Sequence, residues 1–140
     1  MLYCGKKYVF ISHRYDKNDI INDKKTNLAV YKDFTSSNTP VKWIFNYKIN
    51  NIASIIFDIE NNYKMFNWKI YSDGNNIYLS KDMESLFEII IKDSNQFYIK
   101  DRKTGKFLGN SKKERSDNSY FLELIDIDEK ESERFLFYYE

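Results

Sequence analysis

Four tyrosines stand near asparagine or aspartate in this chain: Tyr31, Tyr71, Tyr78 and Tyr120. An aromatic face can stack on the apolar side of a sugar ring while neighbouring amides or carboxylates bond its hydroxyls. Such residues therefore suit a shallow site for a polyhydroxylated ligand. The competing placement packs each ring between layers of the fold with its hydroxyl outward. A second chemical lead is charge. Residues 100–115 hold Lys100, Arg102, Lys103, Lys106, Lys112, Lys113 and Arg115 against Asp101 and Glu114. A basic hairpin of this kind would hold an acidic partner through contacts that weaken as salt screens them. The following segment, 123–133, is acidic, with Glu123, Asp126, Asp128, Glu129, Glu131 and Glu133. Clustered charge is most often a solvated loop face.

Other chemistries lack their residues. His13 is the single histidine and Cys4 the single cysteine. Neither has a partner at metal-ligand spacing, and one cysteine makes no intrachain disulfide. A Ser–His–Asp nucleophile would need His13, and no serine sits in a G-x-S-x-G setting. KTGK at 103–106 has the look of a phosphate loop, but it lies between two strand signals and reads as a hairpin turn. Carboxylates are plentiful without forming a recognisable acid–base pair. No enzyme activity and no cofactor are expected. The formal net charge of +1 supplies no bulk field toward nucleic acid. No apolar run is long enough to span a membrane. The N-terminus, MLYCGKKYVF, has no signal-like apolar core, so a cytoplasmic setting is expected, with leaderless export left open.

The elements that must position these residues are strands. Aromatics make up 18% of the 140 residues, which is rich enough for a packed core in one domain. Twelve strand-like runs alternate with Asn/Asp/Gly/Ser breaks: 7–13, 19–22, 28–32, 41–49, 53–59, 64–71, 76–80, 86–91, 96–100, 106–109, 119–124 and 134–139. Three of them echo one another. KWIFNY, LFEIII and RFLFYY carry anchors at Trp43, Phe87 and Phe135, spaced by 44 and then 48 residues. Each puts apolar side chains on one strand face: Trp43/Phe45/Tyr47, Phe87/Ile89/Ile91 and Phe135/Phe137/Tyr139. A period of this size points to an internal repeat. In DMESLFEIII, Met83, Leu86, Phe87 and Ile90 also fit helical spacing, but the three isoleucines favour a strand from about Leu86.

Twelve short strands in three four-strand units resemble the β-trefoil superfamily. The segment NNIYLSKDMESLFEIIIKDSNQFYIKDRKTGKFLG is similar to fascin-type and agglutinin-type trefoils. The resemblance implies an all-β, single-domain fold over 1–140, with pseudo-symmetric repeats at about 5–48, 49–93 and 94–140. The ricin-B-type lectins carry Q-x-W at the fourth strand of each unit. Here those places read VKW, SLF and ERF, keeping the aromatic without the glutamine. The lectin pattern's Asp falls at Asn22, Asn67 and Gly109–Asn110. The resemblance thus implies a carbohydrate-binding, lectin-like module with sites at Asn22/Tyr31, Asn67/Tyr78 and Asn110/Tyr120, and a glycan or glycoprotein partner. The alternative is a fascin-like binder of actin or another acidic protein surface, using the 100–115 hairpin.

Overall fold

The computed structural model describes residues 2–4, 10–12, 26–27, 29–31, 42–58, 68–80, 82–116 and 119–139. Its strands are β1 (Leu2–Cys4), β2 (Phe10–Ser12), β3 (Thr26–Asn27), β4 (Ala29–Tyr31), β5 (Lys42–Ile49), β6 (Ile52–Asp58) and β7 (Trp68–Asp73). They continue as β8 (Asn76–Ser80), β9 (Phe87–Asp93), β10 (Gln96–Asp101), β11 (Phe107–Ser116), β12 (Ser119–Ile125) and β13 (Phe137–Tyr139). A 3-10 helix occupies Glu129–Arg134, capped by the Asp128 carboxylate, which accepts from the Lys130 backbone N–H at 3.0 Å.

Local chemistry explains the hairpins. β5–β6, β7–β8 and β9–β10 each turn through two residues: Asn50–Asn51, Gly74–Asn75 and Ser94–Asn95. Asn50 at φ 46° and Gly74 at φ 62° supply the left-handed backbone that such tight turns demand. The β10–β11 connection, 102–106, is the hairpin turn read from KTGK, with Gly105 at φ 74°. Alternation then selects the buried face. Along β10, Phe97, Ile99 and Asp101 point inward while their neighbours stay half-buried.

Seven strands close an antiparallel barrel. The ring runs from β10 to β11, β12, β8, β7, β6 and β9, and so back to β10. β5 lies outside it against β6, and β13 against β10. The short N-terminal segments extend the sheet: β1 pairs with β13, β2 with β1, β4 with β2 and β12, and β3 with β8. Closure leaves the seven ring strands without open edges.

This architecture corrects the expectation of a β-trefoil with twelve strands in three equivalent repeats; a closed seven-strand barrel with two outer strands is not that fold. Alternation reveals which face of a strand is buried but not which strands are neighbours. Equivalent repeats would need equivalent pairings, and the pairings differ. β6 bonds to three strands, β5, β7 and β9. β11 runs for ten residues where a short strand was expected. The 3-10 helix replaces the start of the expected run 134–139. Residues 82–86 form a loop, without the helix whose spacing Met83, Leu86, Phe87 and Ile90 also fit. The expected run 19–22 lies outside the described residues.

The echoed aromatics do form the core. Trp43, Phe87, Phe135, Ile89 and Phe137 are all buried, and Phe45 packs against them. Trp43 meets Phe137 at 6.3 Å between ring centroids, Phe137 stacks on Phe97 at 6.1 Å, and Phe97 meets Phe45 edge-on at 5.4 Å. The last members of two triplets leave the core: Tyr47 is 52% exposed and Ile91 67%. Among the described residues, no helix is long and apolar enough to cross a membrane.

Candidate functional site

Three segments distant in sequence converge on an open cleft of about 430 Å³. Tyr71 and Ser72 come from β7. Glu84, Ser85 and Leu86 come from the loop between β8 and β9. Asp101, Arg102 and Lys103 come from the end of β10 and its turn. Backbone bonds hold the loop in place from both sides. The Ser85 N–H donates to the Ile70 carbonyl at 3.1 Å, and the Arg102 N–H donates to the Leu86 carbonyl at 3.1 Å.

Beneath the cleft runs a chain of hydroxyls ending on a buried carboxylate. Ser72 Oγ lies 2.9 Å from Ser85 Oγ and 3.4 Å from Asp101 Oδ1. A carboxylate only accepts, so Ser72 donates to Asp101 and Ser85 donates to Ser72. The Ser85 oxygen in turn accepts from the Ser72 N–H at 2.9 Å. Asp101 is buried, and its Oδ2 accepts from the Thr104 N–H at 3.0 Å and the Thr104 hydroxyl at 2.7 Å. The Gly105 N–H closes the turn onto the Asp101 carbonyl at 2.9 Å. The carboxylate thus anchors the hairpin turn and orients the serines. It has no imidazole beside it among the described residues. The chain gives the cleft a polar floor whose donors and acceptors are fixed.

The rim carries the charge. Among the described residues, the side chains of Arg102 and Lys103 have no ion pair or hydrogen bond, and both are exposed. Four more cations of the basic stretch are committed. The Lys100 ammonium lies over the Phe107 ring at 5.9 Å from its centroid. Lys106 Nζ donates to Asn75 Oδ1 at 2.8 Å. Lys113 pairs with the nearly buried Glu123 at 3.1 Å. Lys112 pairs with Glu131 at 2.5 Å, and Arg134 joins the same carboxylate at 2.6 Å. The hydrogen bonds from Lys112 and then Arg134 hold the Glu131 carboxyl below its ordinary range. Arg115 lies on β11.

The residues expected to bind sugar are scattered. Tyr78 stands directly opposite Tyr71 across β7–β8, and both are half-buried. Directly opposed residues share a sheet face, so these two tyrosines are neighbours. Asn110 and Tyr120 belong to adjacent strands but are offset by a bulge, with Asn110 opposite Leu122 and Tyr120 opposite Glu114. The Asn110 Oδ1 accepts from the Lys112 N–H at 2.9 Å, closing a turn in which Lys112 takes φ 62°. The Asn110 carbonyl accepts from Arg134 Nε at 2.8 Å, and Tyr120 packs against the core. Tyr31 lies on β4, opposite Phe10 and Ser119. Asn22 and Asn67 lie outside the described residues.

The cleft unites Tyr71 with Arg102 and Lys103, which the sequence had placed in separate hypotheses. Ser72, Ser85 and Asp101 were not legible as a unit, because three segments supply them and serine is common in loops. One usable signal was D-x-x-T-G at 101–105, an aspartate poised to cap its own turn. Among the described residues, no group of three or more His, Cys, Asp or Glu could hold a metal ion. No protein-family model matches this chain, and no curated protein matches it.

Proposed function

We propose that this chain is a carbohydrate-binding module that holds its ligand without transforming it, and that the Tyr71–Ser72–Ser85–Arg102 cleft is its principal site. The observation that carries the reading is the oriented hydroxyl chain, Ser85 to Ser72 to Asp101, beneath an open cleft that Tyr71 also lines. Sugars are recognised by hydroxyl groups whose donors and acceptors are fixed in advance, together with an aromatic surface for the ring. The cleft volume lies within the range of small-ligand sites. Shallow openness suits weak single contacts, strengthened when several units of a polymer are engaged.

A glycan array followed by calorimetric titration tests this. Tyr71→Ala is expected to weaken binding of any hit at least tenfold, while Tyr120→Ala, against the core, reports on the second expected site. An array blank at high protein concentration removes the carbohydrate reading.

A second reading has a specific observation behind it. Arg102 and Lys103 are exposed and uncommitted among the described residues, so the hairpin could dock on an acidic protein surface such as an actin filament. Co-sedimentation that falls steeply between low and moderate salt, without competition by sugars, favours that reading.

A further inference from the structure

We propose that the ligand of this cleft is an acidic sugar: a glycan bearing one carboxylate or sulfate per recognised unit. This deepens the carbohydrate reading and rests on it. Four of the seven cations in 100–115 are engaged away from the cleft. Lys112 and Lys113 are neutralised by Glu131 and Glu123, Lys106 is held by Asn75, and Lys100 covers Phe107. Among the described cations, Arg102 and Lys103 are the ones that line the cleft. Two adjacent cations on one lip, forming no ion pair among the described residues, present a fork and a point charge to any anionic group in the cleft.

The carboxylates define the other half of the specificity. Asp101 is buried under the floor with its oxygens accepting from Thr104 and Ser72, and it forms no ion pair with the lip. Glu84 lines the same cleft and is exposed. It can accept sugar hydroxyls, and it repels a second anionic group. A densely charged polyanion would set its charges against Glu84. A ligand with one acid group and several hydroxyls satisfies Arg102 and Lys103 on one side, and Glu84 and the serines on the other.

The test uses the full chain with an oligogalacturonate and its carboxyl-reduced, neutral counterpart, titrated at low and moderate salt. The same pair is titrated against an Arg102→Gln/Lys103→Gln variant, a Tyr71→Ala variant and a Glu84→Gln variant. A sulfated oligosaccharide and inorganic polyphosphate complete the panel. The acidic form, carboxylated or sulfated, is expected to bind at least tenfold tighter than the neutral one. The double variant should erase that difference by bringing the acidic ligand's affinity down to the neutral one's, and Glu84→Gln should tighten the acidic ligand a few-fold. Thermal unfolding of each variant confirms that the fold is kept. Equal binding of acidic and neutral forms, unchanged in the double variant, overturns this proposal and leaves the carbohydrate reading standing. Polyphosphate binding as tightly as the acidic sugars also overturns it. Binding by no glycan of either kind brings down both.

Discussion

Cys4 is buried, and its thiol donates to the Arg134 carbonyl at 3.3 Å. Burial pushes the thiol pKa from 9.0 up to about 12, against smaller opposing contributions from the Asn110 backbone and the Arg134 charge. A shift of that size leaves on the order of 1,000-fold less thiolate at a given pH. The folded protein should accordingly resist a thiol reagent at pH 8 that labels the urea-unfolded chain promptly. The linkage also has a sign. The folded state holds this proton more tightly, so its contribution to stability is fully present below about pH 9 and is lost as the pH rises toward 12. Urea midpoints of the natural chain and of Cys4→Ala, compared across that window, should converge from the neutral side upward. The sequence alone showed that Cys4 had no disulfide partner. Its burial depended on the pairing of Leu2–Cys4 with Phe137–Tyr139, a long-range contact that no local pattern announces.

The β10–β11 hairpin was the most legible element, because its turn chemistry is written in adjacent residues: Asp101, Thr104 and Gly105. Asp101 is nonetheless more than a turn residue, since it also fixes Ser72 on another strand. Asp101→Ala is expected to destabilise the fold by roughly 2 kcal/mol, the cost of leaving buried hydrogen-bonding groups without their acceptor. Hydrogen exchange should localise the loss to the hairpin and to the 82–86 loop. The length of β11 is hidden for a related reason. The sequence pattern puts a strand end at Gly109, yet β11 continues to Ser116. A Cβ at Gly109 would lie 2.8 Å from the Arg134 carbonyl oxygen and 2.9 Å from the Phe135 ring. Glycine is present there because another segment crosses closely. Gly109→Ala should cost about 1–3 kcal/mol through forced displacement of Phe135, read as a lowered urea midpoint.

At the scale of the whole molecule, the all-β character and the buried aromatics followed from period-two alternation, whereas the closure did not. Alternation assigns each side chain to a face. Whether strands close as seven around one barrel or as equivalent thirds depends on pairings between residues such as Ala53 and Phe87, or Glu123 and Asn76. One such pairing has a consequence in time. β1 zips onto β13 from Leu2↔Tyr139 to Cys4↔Phe137, joining segments at opposite extremes of the sequence. The entropy lost in closing so long a loop must be met before those contacts reward it, so this seam is expected to form after the rate-limiting barrier. Refolding should fall in the millisecond-to-second range typical of all-β topologies. Tyr3→Pro, which puts a residue without a backbone N–H in the middle of the seam, should then speed unfolding while leaving the refolding rate within about twofold in stopped-flow measurements. On a ribosome, the same seam would wait for β13 to emerge, after every strand of the seven-strand ring.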